Sequence, residues 1–297
     1  MLKKTLALGF TSLLLASPAW AAPDWSAVDR AIGRAGAEQA GGVHRYSFPR
    51  SDLSVTLDGV TIKPSLALGS WAAFQPMGDE AMVMGDLVLT HDEVNPVMSR
   101  LLASGFTITA LHNHLLRSSP ATMYMHIAGH GDPVKLAAAL RQALSASRTP
   151  LAAPQPHSAS AAASSPLDLD VAALNRLMGS EGQAAGGVLK YSFPRAERLM
   201  DGDMETPPTM GTATAINFQP TGDGRAAITG DFVLVASEVD PVLRALRTNG
   251  IEVTALHNHM LNDEPRLFFM HFWANDDAAK LASGLRAALD KMNNQRS

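Results

Sequence analysis

The alternation of apolar and polar positions runs through one series of elements and then repeats it. Trp25, Val28, Ile32 and Ala35 keep helical spacing, with Gly36 placed to close the turn. Residues 43–48 read as a strand ended by Pro49, and residues 54–62 as a strand pair or bent strand around the turn dipeptide Asp58-Gly59. Residues 71–74 and 82–89 give two more strands. Val94, Val97, Met98, Leu101 and Leu102 return to helical spacing, with Gly105 at the expected stop. Two strands carrying histidines follow. Pro133 then fits the first turn of a last helix, whose buried face is Val134, Leu136, Ala137, Leu140 and Leu144.

The second half repeats this order. Gly41-Gly42-Val43 and Tyr46-Ser47-Phe48-Pro49-Arg50 return as Gly186-Gly187-Val188 and Tyr191-Ser192-Phe193-Pro194-Arg195. Phe74-Gln75-Pro76, Gly85-Asp86 and Glu93-Val94 return as Phe218-Gln219-Pro220, Gly230-Asp231 and Glu238-Val239. The unit is far longer than a solenoid repeat and has the size of an ordinary domain. The predicted class is α+β: two tandem copies of a domain with an antiparallel or mixed sheet covered by helices. The expected boundaries are a signal peptide over 1–21, a first repeat over 22–145, an Ala/Pro/Ser-rich linker over 146–165 and a second repeat over 166–297. Each copy holds a complete set of elements and is expected to fold alone.

The first residues change the picture of where the protein works. A basic start at Lys3 and Lys4, an apolar run and an Ala-x-Ala site ending at Ala21 read as a secretory signal, cleaved near Ala21. The run is too short to span a bilayer, so the mature chain is expected to be periplasmic or secreted, with no transmembrane anchor. The chain has no cysteine, hence no disulfide and no thiolate ligand. Of 24 basic and 28 acidic residues, Lys3 and Lys4 leave with the signal, taking the formal charge from −4 to −6. That balance argues against a nucleic-acid partner.

The candidate chemistry lies in the histidine strands. Thr-Ala-Leu-His-Asn-His carries His112 and His114, and His126 follows on the next strand; His257, His259 and His271 recur at the same offset of 145. Strict alternation places Phe106, Ile108, Ala110, His112 and His114 on one face, so that the pair continues the apolar side and lines a cavity at the end of the core. A hairpin loop centred near Ser119 sets His112 opposite His126, with Tyr124 (Phe269 in the second copy) facing His114. Each trio would then suit a divalent transition metal, Zn, Cu or Fe, with binding that weakens below about pH 6. Glu93 and Glu238 are the candidate catalytic residues, as general bases; a helix capping box at Thr90-x-x-Glu93 is the competing reading. Asp86 and Asp231 read as turn aspartates. Gln75 and Gln219 read as strand-end residues, structural or lining the same cavity. Tyr46 with Arg50 and Tyr191 with Arg195 suggest either core or a carbohydrate or anion surface. Met123 and Met125 suggest either core or copper(I) ligation.

The string Thr-Ala-Leu-His-Asn-His, then Met-His-Ile or Met-His-Phe, then Lys-Leu-Ala and a closing helix resembles the LppY/LpqO family of exported bacterial proteins, a domain of unknown function. The resemblance covers both copies, chiefly residues 85–144 and 230–289. It implies the domain plan and brings no activity. Lipoprotein members carry a lipid-attachment cysteine, and its absence here implies a soluble form.

The leading functional expectation is an exported periplasmic protein that binds a metal ion or small ligand through one histidine site per repeat. The alternatives are a metal-dependent hydrolase or lyase using the same clusters, and a metal-free envelope binding module with structural histidines. The address has a direct test: N-terminal sequencing of the protein from periplasmic extract should begin near Ala22, and an intact Met1 would contradict export.

Overall fold

The protein is described by a computed structural model covering residues 23–152 and 166–295. The expected signal peptide, and the linker beyond residue 152, lie outside the described residues. Residues 146–152, at the start of that linker, pack on the first copy. Leu151 joins its core, and Arg34 donates to the carbonyls of Pro150 and Ala152.

The first helix, α1 (Trp25–Ile32), is capped by Asp24, whose carboxylate accepts from the Ser26 and Ala27 amides. It closes at Gly33, not Gly36: Gly33 sits at φ +85°, in the left-handed region that glycine tolerates. The strands follow as β1 (Ala37–Glu38), β2 (His44–Pro49), the short hairpin β3 (Thr56–Leu57) and β4 (Val60–Thr61), then β5 (Gly69–Met77) and β6 (Glu80–Thr90). One helical turn, α2 (Pro64–Ala67), precedes β5 and was not legible in the pattern. Helix α3 (His91–Ala103) leads to β7 (Thr107–His112), β8 (Thr122–Gly131) and α4 (Pro133–Leu144). The sheet is antiparallel, in the order β1-β2-β5-β6-β8-β7.

The second copy repeats this plan. Helix α5 (Val171–Met178) precedes β9 (Gln183–Ala185) and β10 (Val188–Phe193), and the hairpin β11 (Met200–Asp201) with β12 (Met204–Glu205) follows. Then come β13 (Thr214–Gly222), β14 (Arg225–Val235), α6 (Ala236–Thr248), β15 (Glu252–His257), β16 (Asp263–Glu264), β17 (Leu267–Asp277) and α7 (Ala278–Leu289). Its sheet order is β15-β17-β14-β13-β10-β9. The α+β class and the tandem duplication are as read from the sequence.

In each copy one sheet face is covered by helices. Val28, Ile32, Val97, Leu101 and Leu140 of the first copy pack on Tyr46, Phe48, Phe74 and Val83. Leu174, Val242, Leu246 and Leu285 do the same on Tyr191, Phe218 and Phe272. Each buried aliphatic side chain contributes about 1.5–3 kcal/mol. Among these cores lies a buried ion pair. All five guanidinium N–H groups of the fully buried Arg50 are used: on Asp52 (2.9 and 2.8 Å), Glu93 (2.7 and 3.2 Å) and the Val88 carbonyl (2.7 Å). Arg195 repeats this with Glu197, Glu238 and the Val233 carbonyl. The pairs Tyr46/Arg50 and Tyr191/Arg195 are therefore core and form no anion surface.

The faces without helices meet each other. The hairpin segment of the first copy brings Val55, Leu57, Val60 and Ile62 into a core with Val188, Ala227 and Trp273 of the second. In return Leu199, Met210 and Met260 pack on Val43, Ala73, Met82 and Met84. Gln219 clamps the first copy's arm, accepting from the Lys63 amide (2.9 Å) and donating to the Thr61 carbonyl (2.8 Å). Gln75 donates to the Glu205 carbonyl (2.9 Å) on the opposite side. These two glutamines are therefore clasps between copies.

This packing runs against independent folding. A copy alone would expose a whole sheet face and its own arm to water. Expressed separately, residues 22–152 and 166–297 should aggregate or bind hydrophobic dyes, and co-expression should restore a soluble, cooperatively melting species. A monodisperse single copy with its own sharp melting transition would contradict the shared interface. Glu93→Gln in the whole chain should cost about 3–5 kcal/mol, because it leaves a buried guanidinium short of its counter-charge; denaturant unfolding measures it.

Candidate metal centre

The histidine strands do not run with unbroken alternation. In β7, Ile108 faces Ile127, but the next opposed pair is Ala110 with His126, so Thr109 is an extra residue, a β-bulge. The same happens around Thr254, where Val253 faces Phe272 and Ala255 faces His271. A one-residue insertion turns every later side chain to the other face. Phe106 and Ile108 stay in the core under the helices, while Ala110 and His112 turn toward the second copy. The expected register is corrected accordingly: His112 lies opposite Tyr124, not His126. The expected contact of His114 with Tyr124 is present, as stacked rings with centroids 3.4 Å apart; His259 stacks on Phe269 at the same distance.

Because both copies turn their histidines to the shared face, the two expected sites are one. The nearest histidine to each ring comes from the other copy: His112 to His257 at 3.5 Å between centroids, His114 to His271 at 3.7 Å, His126 to His259 at 3.7 Å. Within a copy the rings are farther apart, about 5 Å, as for His112 with His126 at 5.0 Å and His257 with His271 at 4.9 Å. The bulge also ties the copies together. Thr254 Oγ1 donates to the His114 carbonyl (2.7 Å), and Asn258 Nδ2 donates to the Thr109 carbonyl (3.0 Å).

Two aspartates complete the cluster. Asp86 and Asp231 are not in turns. They lie in mid-strand on β6 and β14, directly opposite His126 and His271 on the neighbouring strands. Asp86 Oδ2 is 3.6 Å from His114 Nε2, and Asp231 Oδ2 is 3.4 Å from His259 Nε2. A signal for them was present: an acidic residue inside an otherwise apolar strand, repeated in both copies.

The hydrogen bonds fix which nitrogens face inward. His271 Nδ1 bonds the Gly230 carbonyl at 2.8 Å, and His126 bonds the Gly85 carbonyl in the same way. Both glycines allow close approach of the neighbouring strand: a Cβ at Gly230 would meet the Ala215 carbonyl oxygen at 1.9 Å, and one at Gly85 would meet that of Trp71 at 2.7 Å. With Nδ1 spent as a donor, Nε2 keeps its lone pair for the interior. His257 Nδ1 bonds the Asn258 carbonyl at 2.9 Å, to the same effect. Among the described residues, the Nε2 atoms of all six histidines are buried without a hydrogen-bond partner from the protein, as are Asp86 Oδ1 and Asp231 Oδ1. Buried polar atoms are almost always paired, so eight convergent exceptions call for a common cause.

Burial governs the charges. It holds all six imidazoles below the ordinary histidine range, and for most of them neighbouring rings push further down. His257 is lowered to about 4 and His271 to about 3. Burial pushes Asp86 up to about 7, against the pull of Arg45, and raises Asp231 strongly, with Asp86 adding to the effect.

The ligand atoms form overlapping sets in which all lie within 4.8 Å of one another: Asp231 with His257, His259 and His271; His112 with His114 and His271; His112 with His126 and His257; Asp86 with His114 and His126. The second copy's expected trio is thus brought together, with Asp231 as a fourth member. The first copy's trio is split, its members grouping with Asp86 or with histidines of the other copy. Such sets of nitrogen and carboxylate donors could hold Zn, Cu or Fe.

Glu93 and Glu238 have no place here. Each spends its carboxylate on its buried arginine and on backbone amides. Glu93 accepts from Thr90 (2.9 Å) and Arg148 (2.8 Å), and Glu238 from Val235 (3.0 Å) and Asn293 (2.9 Å). Burial alone would raise Glu93, but Arg50 and these amides outweigh it and hold the carboxyl below its usual range. Both carboxylates are thus engaged in structural contacts away from the histidines. The second copy keeps half of the capping box, since the bond from the Val235 amide needs no side-chain hydroxyl. Met125 is buried under the helices and Met123 packs beside it, so neither reaches the centre.

A family profile described as Domain of Unknown Function (DUF1259) matches residues 26–146 and again 172–291. No curated protein matches the chain. A solved structure, "Crystal structure of a trimeric bacterial microcompartment shell protein PduB", is 14% identical over 86% of this chain and 90% of its own, with a TM-score of 0.20, far below that of a shared fold.

The charge state predicts an acid limit. In the unfolded chain the six histidines take up protons below about pH 6.5 while the two aspartates stay ionised down to about pH 4; in the folded chain the histidines stay neutral and the aspartates protonated. Near pH 5, unfolding therefore takes up about six protons on the histidines and releases about two from the aspartates. Stability should fall as pH drops below about 6.5, by about 1.4 kcal/mol per pH unit for each of about four net protons. Denaturant melts from pH 8 to 5 measure this, and a flat profile would contradict buried neutral imidazoles.

Proposed function

The chain belongs to that family, and we propose that it is a metal-binding protein whose two copies jointly build one buried centre from His112, His114, His126, His257, His259, His271, Asp86 and Asp231. The observation that carries this is the convergence of six buried Nε2 atoms for which the described residues offer no hydrogen-bond partner. A purely structural cluster would spend those nitrogens on hydrogen bonds. A metal ion is the partner that several lone pairs can share at once. The donor set, imidazole with carboxylate and no sulfur, favours Zn, Cu(II) or Fe. Among the overlapping sets only one pair shares no residue: Asp231, His257, His259 and His271 with Asp86, His114 and His126. The capacity is therefore at most two ions.

The same proposal keeps the exported, periplasmic address and the LppY/LpqO kinship read from the sequence. Among the described residues no helix is long and apolar enough to cross a membrane. A hydrolase built on Glu93 or Glu238 is not supported, since both are held in structural ion pairs.

Chelator-treated protein without a histidine tag, titrated calorimetrically with Zn²⁺, Cu²⁺ and Ni²⁺, should take up one or two ions and gain stability. The gain is about 4 kcal/mol at a thousandfold excess over the dissociation constant. His114→Ala with His259→Ala removes one ligand from every set except His112 with His126 and His257, so it should leave at most one ion bound and reduce that gain. Binding should persist below pH 6, unlike that of exposed histidines, because the folded protein already holds its imidazoles neutral; its lower limit is the acid unfolding itself. No uptake by the wild type, together with a large loss of apo stability in the double variant, would leave the histidines as structural.

A further inference from the structure

A cavity of about 430 Å³ lies between the copies and opens onto the centre through His114, His259, His271, Asp86 and Asp231. Its wall carries two cations, Arg45 on β2 and Lys190 on β10. These are equivalent positions of the two repeats, 145 residues apart, so the interface brings both to one space. Among the described residues neither belongs to an ion pair, whereas most other arginines do. Arg45 lies over Trp71, with Cζ 3.9 Å from the ring centroid, and its side chain's one hydrogen bond among the described residues runs to the Thr209 carbonyl (3.1 Å). The Lys190 side chain makes no hydrogen bond among the described residues. Burial lowers both, Arg45 to about 10, and the charge of Arg45 lowers Lys190 further, so the two repel each other across the space. Asp86, which lines the same cavity, offsets Arg45 only in part, since burial pushes its own carboxyl up to about 7; two half-buried like charges facing one cavity then remain costly unless a further anion sits between them. The remaining wall offers the small polar groups Ser47, Ser70, Asn217 and Thr229.

We infer that this cavity is a binding site for a small oxyanion, a carboxylate or phosphate, held between Arg45 and Lys190 with its far end against the histidine centre. Arg45, fixed on Trp71, offers a planar fork that matches two oxygens, and Lys190 supplies a point charge opposite it. The contact at the far end rests on the metal reading, since it is an ion there that would take a ligand oxygen. The two cations stand independently of it.

Calorimetry of chelator-treated and Zn²⁺-loaded protein with succinate and with inorganic phosphate tests this, the two probes separating a carboxylate from a phosphate site. Wild type should bind at least one probe, more tightly when loaded. Lys190→Gln, which removes no hydrogen bond, should weaken binding at least tenfold, and Lys190→Glu should abolish it. Arg45→Gln should act likewise, but it also loses the bond to Thr209, so the lysine variants decide. All three should take up Zn²⁺ as wild type does. A wild type that binds neither probe, or lysine variants that bind as wild type does, would overturn the site while leaving the metal centre intact. Anion binding without any metal uptake would instead keep the site and remove the metal reading.

Discussion

The structure depends on the meeting of two sheet faces. Each copy covers one side of its sheet with helices and leaves the other bare, and the bare sides bury each other. That contact takes six imidazoles and two carboxylates out of water at once. Their depressed and raised acidities, the stacking of rings from opposite copies and the absence of partners for Nε2 all follow from it. Neither copy could make the centre alone, because the dry walls of each half are supplied by the other.

The duplication gives this arrangement without making it symmetric. Trp71 in the first copy meets Ser47 across its sheet, and the equivalent partner of Ser192 is Ala215. Met84 on one face corresponds to Thr229 on the other. Equivalent positions thus carry bulky apolar side chains in the first copy and small or polar ones in the second. Arg45 and Lys190 hold equivalent repeat positions on the wall of a cavity that both copies line.

Much of the fold was legible. Helical spacing, the stop at Gly105, the turn at Asp58-Gly59 and the internal repeat predicted the elements and the class, because these are local signals. The six histidines were legible as a set. Their direction was not, since the bulges at Thr109 and Thr254 break the alternation by one residue and leave no mark in composition. Nor was the meeting of the copies, although a sign of it was there. The strand from Glu80 to Thr90 is apolar on both faces, as Val83 and Leu87 under the helices and Met84 and Val88 toward the other copy show; such runs belong to sheets covered on both sides. Asp86 and Asp231, standing inside those runs, were the clearest missed indication of a centre. Glu93 and Glu238 misled because a glutamate kept without its capping hydroxyl suggests function, when the buried arginine explains it.

The most direct measurement is anomalous diffraction from crystals of the protein loaded with Zn²⁺, collected on either side of the metal absorption edge. One or two peaks are expected between the sheets, each within about 2.0–2.2 Å of histidine Nε2 atoms among the six and of an aspartate oxygen. Peaks confined to His44, His91 or His130 on the first copy, with none among the six, would contradict it.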